Sequence, residues 1–252
     1  MLGKRSLKFA IGLGLLSLLA LWNMPATVFA RTVASWCQEQ CLLAEEKGSF
    51  WVGEAAFYVR ERPDSAWVSL GQLRWKTDLA QVYRLALSAQ LQLNNGSLQF
   101  KNLLFSGAEA TITNIRLPAA VIFGRIGHGM PTSGWGGWLQ IEHGSLYVQP
   151  GSMRTQGQAH WLDARSKILG EEVLGSYKLE WHNSGDTINL RLDTEEGSLY
   201  LLGDASLRDQ KITFKGSAEV RGNANSTLNS LLESVAQRDP GKPGRFLLVW
   251  PK

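Results

Sequence analysis

The stretch Arg84 to Phe100, RLALSAQLQLNNGSLQF, sets the pattern for most of the chain. Leu85, Leu87, Ala89, Leu91 and Leu93 alternate with Arg84, Ala86, Ser88, Gln90 and Gln92, so a pleated strand here has one apolar and one largely polar face. Asn94-Asn95-Gly96 supplies residues that tolerate positive φ, and Leu98 and Phe100 resume the alternation, which predicts a hairpin. The return strand opens with Gly96-Ser97, and the same dipeptide begins at Gly48, Gly144 and Gly197. A repeated two-strand unit and chance among 26 glycines both account for that spacing.

The remainder reads as more of the same. Trp51, Phe57, Trp67, Leu70, Leu73 and Trp75 mark aromatic-rich strands around a turn at Arg62-Pro63-Asp64-Ser65. Short strands follow at Ala110–Leu117, Trp138–Glu142, Leu146–Val148, Met153–Trp161, Tyr177–Trp181, Ile188–Leu192, Leu199–Leu202, Ile212–Phe214, Ala218–Val220 and Arg245–Trp250. Turns this short, without long crossover helices, predict an antiparallel meander. Short helices are expected from Thr77-Asp78 through Tyr83, at Leu117–Phe123 closed by Gly124, and at Ser226–Gln237. In the last, Leu228, Leu231, Leu232, Val235 and Ala236 form a stripe suited to core packing. Gly127 to Gly137, GHGMPTSGWGG, lacks the Lys-Ser/Thr of a phosphate loop and the strand–glycine–helix setting of a dinucleotide site, and reads as a connector.

The N-terminus departs from this rhythm. Lys4, Arg5 and Lys8 precede Phe9–Ala30, which carries no charge. Such a run suits a transmembrane anchor at residues 9–30, with 1–8 as a basic cytoplasmic tip and the rest outside. A signal peptide cut after Ala30 is the alternative, because Val28-Phe29-Ala30 has small residues at the required positions. Both export the domain. Residues 31–47 are expected to continue as a juxtamembrane helix, with Val33, Trp36, Cys37, Cys41 and Ala44 at helical spacing, and 48–252 to form a periplasmic β domain.

Charge and chemistry narrow the classes. Lys4, Arg5, Lys8 and Arg31 lie in a leader without acids, which leaves 22 basic against 22 acidic residues in the body. A neutral body removes the electrostatic support for a nucleic-acid partner. The two cysteines, Cys37 and Cys41, form a structural disulfide in an oxidising compartment or remain as inert thiols; on a regular helix their Cβ vectors match poorly. A metal site would need further ligands nearby, and the first histidine is His128. His143, His160 and His182 are scattered, the last two at polar strand positions. The adjacent acids Glu171-Glu172 and Glu195-Glu196 diverge on a strand, and no nucleophile elbow, zinc-binding helix pair or phosphate loop occurs. No catalytic, cofactor or metal residues are assigned.

The order of features resembles the type II secretion system protein N family, also called general secretion pathway protein N. The anchor ends at Met24-Pro25-Ala26, and Gly48-Ser49-Phe50-Trp51-Val52-Gly53-Glu54-Ala55 is similar to the family's Gly-Thr-Leu-Trp-x-Gly-x-Ala motif, with Ser49 and Phe50 as departures. Leu73-Arg74-Trp75, Leu117-Pro118-Ala119-Ala120, Gly134–Leu139 and Gly175-Ser176-Tyr177 are similar in place and spacing. The Cys37/Cys41 pair is not expected of the family. The resemblance implies a retained single-pass anchor in a bacterial inner membrane, cytoplasmic N-terminus and periplasmic domain. It also implies a non-enzymatic role, scaffolding or bridging other secretion components as folded proteins cross the outer membrane. The expected fold is mainly β: one transmembrane helix, then an antiparallel meander, curled or elongated, with a few short helices. A periplasmic lipid or hydrophobic-ligand carrier with an open β-groove is the alternative, since ten tryptophans suit a groove as well as a packed core.

Overall fold

The computed structural model describes residues 12–16, 19–37, 40–60, 64–78, 86–94, 96–103, 107–126, 134–167, 172–208, 211–221 and 226–250. The chain forms two compact units, one of residues 1–79 with 89–94 and one of 80–88 with 95–252. Among the described residues, helices α1 (Ala26–Trp36), α2 (Ala119–Ile126) and α3 (Ser226–Val235) accompany fourteen strands. These are β1 (Cys41–Gly48), β2 (Val52–Val59), β3 (Val68–Asp78), β4 (Ala86–Leu93), β5 (Gly96–Leu103), β6 (Gly107–Pro118), β7 (Trp135–Gln149) and β8 (Ser152–Ser166). β9 (Val173–Ser184), β10 (Thr187–Gly197), β11 (Leu199–Arg208), β12 (Lys211–Val220), β13 (Gln237–Arg238) and β14 (Arg245–Trp250) complete them. Hydrogen-bonded neighbours run in chain order from β1 to β12, then β14, then β13. The sheet is an antiparallel meander.

In the first unit, Pro25 ends one helical stretch and caps the next. Residues 12–16 and 19–22 are helical, the chain breaks at Asn23–Pro25, and α1 starts at Ala26. Proline lacks the N–H that a continuing helix needs and disfavours helical backbone in the residue before it. The anchor expected over 9–30 is therefore cut before its end: Ala26 and Ala30 are buried in α1, which packs on β1. Residues 9–11 and 17–18 lie outside the described ones, and among those described no helix is long and apolar enough to cross a membrane.

The helix expected over 31–47 is also shorter. It stops at Trp36, and Cys41–Gly48 is strand β1, pairing Cys41 with Val59 and Ala44 with Ala56. Cys41 and Leu43 are buried while Leu42 is exposed, so a two-residue period coexists with the helical one and pairing with β2 decides between them. A bulge between Ala44 and Lys47 leaves Glu45 at φ 56°. Gly48, at φ +96°, makes the tight turn into β2; a Cβ there would lie 2.4 Å from the Val52 carbonyl oxygen.

Strands β4 and β5 form where the two arms of the central hairpin are expected, with Asn94 at φ 51° and Asn95 outside the described residues. Its burial differs from the expected phase: Ala86 is buried and Leu87 exposed, whereas Leu93 is buried at the other end of the strand. The helix expected from Thr77 to Tyr83 has Thr77 and Asp78 inside β3, and residues 79–85 lie outside the described ones.

In the second unit, the two strands expected at 138–142 and 146–148 are one, β7. Bulges at Gly136/Trp138 and Ile141/His143 absorb the irregular phase, and Gly144 pairs with Gly157 instead of turning. Likewise 212–214 and 218–220 are one strand, β12. The short helix after Pro118 forms as α2 and runs through Gly124 to Ile126. Residues 127–133 of the glycine-rich connector are not described, and β7 starts at Trp135. The Gly-Ser dipeptides fall at unlike places, ending β1, opening β5, inside β7 and ending β10, so they do not mark a repeated unit.

Candidate functional site

The first unit holds an aromatic corner. Phe29 of α1 stacks on Trp75 of β3 with centroids 4.3 Å apart, and Phe50 meets Phe29 edge-on at 5.9 Å. The Trp75 ring lies where a Cβ on Gly53 would stand, and its indole N–H is shared between the carbonyls of Ser49 and Phe50, both at 3.1 Å. This fixes the 49–51 turn. That turn in turn grips the end of the leading helix: the Trp51 indole donates to the Leu21 carbonyl at 2.9 Å, and the Phe50 amide donates to the Met24 carbonyl at 2.8 Å. Leu13, Leu15, Leu16, Leu19, Leu21 and Trp22 on that helix are 47–67% exposed.

Cys37 and Cys41 are disulfide-bonded, with Cα atoms 5.5 Å apart. The spacing is available because Cys37 caps the end of α1 and Cys41 begins β1, so the two do not share one regular helix.

The second unit has two unlike faces. On its polar face His160 of β8, with its side chain 17% exposed, has Nδ1 2.9 Å from Glu195 and Nε2 3.5 Å from Glu142. Gln158 donates to Glu142 at 2.6 Å, and Lys178 pairs with Glu180 and Arg191 with Asp193. The hydrogen bond to Glu180 holds the Lys178 ammonium above its ordinary range, and the Asp193 carboxylate does the same for Arg191. A bulge at Thr194/Glu196 lets Glu195 reach across β9 to His160, while Glu196 accepts from the Ser176 hydroxyl. The described partners of His160 are two carboxylates and an amide, which orient its imidazole. His182 lies apart from it in a polar hollow of about 660 Å³ with Tyr147, Arg154 and Asp186, His143 is on β7, and His128 is outside the described residues. Among the described residues no group of three or more His, Cys, Asp or Glu is placed to hold a metal ion.

The opposite face is apolar. Around Trp161, Tyr177 and Leu199 it is covered: Ala119 of α2, Leu228 and Leu232 of α3, and Phe246 of β14 are all buried there. The Tyr177 hydroxyl donates to the Leu199 carbonyl at 2.9 Å and pins the core there, and burial pushes its phenol well above the usual range. Toward the other strand ends the same face carries Leu146, Val148, Met153, Leu207 and Ile212, each more than a third exposed. There Trp181 lies over Gly157 and Phe214 over Gly203 and Gly216. Neither the aromatic corner nor these ring-on-glycine pairs is visible in the sequence, because each depends on which residues stand opposite across a ladder.

The second unit thus holds His160 between acids on one face and Tyr177 in the core on the other. A family model, type II secretion system (T2SS), protein N, matches residues 40–246. The chain belongs to that family, and so to the protein-secretion machinery. No curated protein and no solved structure matches it.

Proposed function

We propose that the protein is a non-enzymatic, inner-membrane-anchored periplasmic component of the type II secretion machinery that scaffolds or bridges partners during export of folded proteins. The observation that carries this is the family match over residues 40–246. Two features add support. Leu13, Leu15, Leu16, Leu19 and Leu21 are all exposed, which suits surroundings of lipid. Ala30, the residue before the alternative cleavage point, is buried in the middle of α1, which favours a retained anchor ahead of Pro25. Within this reading the Cys37–Cys41 bond is made in the oxidising periplasm and ties α1 to β1. Alkylation of the unfolded chain only after reduction is the expected result; labelling without reductant argues against it.

Deletion of the gene should leave the machinery's enzyme cargo in the periplasm, and crosslinking in intact cells should trap other secretion components. Normal secretion together with no trapped component rejects the proposal. A second reading, a carrier of acyl chains, is favoured by the exposed Leu146, Val148, Met153, Leu207 and Ile212 on one face. Native mass spectrometry of the purified chain separates the two, since a carrier retains lipid and a scaffold does not.

A further inference from the structure

The leading helix ends in a way that suits one place in a bilayer. A helix leaves its last four carbonyls without intrahelical partners, and in hydrocarbon each unsatisfied one costs several kcal/mol. Here Asn23 bonds the Leu19 carbonyl from both its amide, at 3.1 Å, and its side chain, at 2.8 Å. Trp51 bonds that of Leu21 from 30 residues away. Phe50–Met24 and the Pro25–Ser49 bridge add two further ties between the same segments. The helix is thus fastened to the aromatic corner, and Trp22 and Val52, 67% and 53% exposed, flank the fastening.

Length points the same way. Phe9–Trp22, the uncharged run before the break at Asn23–Pro25, has 14 residues; even a fully helical run of that length spans about 21 Å at ~1.5 Å per residue, short of a hydrocarbon core of ~30 Å. A short span is accommodated by thinning the bilayer or by drawing flanking apolar and aromatic groups into its boundary. We infer that Trp22, Phe50, Trp51 and Val52 lie in the headgroup–acyl boundary of the outer leaflet, so that the first unit is clamped on the membrane surface instead of hanging from a tether. This rests on the anchor proposed above.

The test uses the full chain in phosphatidylethanolamine/phosphatidylglycerol vesicles that carry a diazirine on an acyl chain, with photolabel mapped on tryptic peptides. The reference is the Glu61–Arg74 peptide, whose exposed Trp67 and Val68 stand at the other end of the β2–β3 ladder, about 23 Å from Val52 at ~3.3 Å per residue. Label at Phe50–Val52 about tenfold above that reference, together with label on the leucine helix, is the expected result. Label on the helix with only reference-level label at Phe50–Val52 overturns the clamp and leaves the anchor standing. Absence of label from the helix overturns both.

Discussion

Two ends of one apolar face in the second unit are built from the same strands and finished differently. Where Trp161 and Tyr177 stand, helices α2 and α3 complete a core in which Ala119 and Ala218 have no exposure. Where Trp181 and Phe214 stand, large rings lie over glycines, and the apolar residues around them remain in part exposed. One end is closed by adding elements. The other fills the space above its glycines with its own rings and leaves the surface open, which keeps an apolar patch at little cost to packing.

The contrast is broken most sharply at the closed end. Phe246→Ala should lower unfolding free energy by about 3–5 kcal/mol, because a buried ring leaves a cavity. Chemical denaturation of the isolated protein measures it, and a loss below about 1 kcal/mol would mean that the α3 side is not a packed core. Gly157→Ala should cost about 1–3 kcal/mol, since its Cβ would approach the Trp181 ring to 2.3 Å. The same change in a Trp181→Ala background should cost less, by a coupling of about 0.5–3 kcal/mol, and strict additivity would show that the ring does not rest there.

Tyr177→Phe should cost about 1–3 kcal/mol by leaving the Leu199 carbonyl unpaired. Its folded phenol is raised above its unfolded value, so wild-type stability is intact below about pH 10 and falls as pH rises beyond it, when the unfolded chain loses its proton first. The Phe variant should show a smaller alkaline fall in denaturation midpoint; an unchanged one refutes this account. At the open end, Leu146→Ser and Ile212→Ser should move stability by only about 0.5 kcal/mol. A loss as large as that of Phe246→Ala would show the two ends to be alike.

What the sequence made legible divides along the same line. Alternation located β5, β14 and the Met153–Trp161, Tyr177–Trp181 and Ile188–Leu192 parts of β8, β9 and β10, which lie clear of those strands' own bulges, and the apolar stripe located α3. Bulges defeated it. His143-Gly144-Ser145 has the composition of a turn, yet Gly144 continues the ladder, and nothing local distinguishes the two. Cys41–Lys47 satisfies helical spacing and strand alternation together, and only its pairing with β2 chooses. The aromatic corner was out of reach for the same reason, since Trp75, Phe29 and Trp51 are held by contacts 26 to 46 residues apart in sequence. The acids around His160 come from β7 and β10, three ladders away from each other, and carried no mark of their meeting.

The bulge in β1 has an effect beyond its own ladder. Strand β1 terminates the pairing order, and a straight terminal strand offers a template along which further molecules can line up. Glu45 in a left-handed backbone conformation, followed by Glu46 and Lys47, kinks that margin and charges it. An incoming strand would lose its hydrogen bonds at the kink and meet ionised side chains beside it, so this border resists growth into fibres even when copies are crowded together.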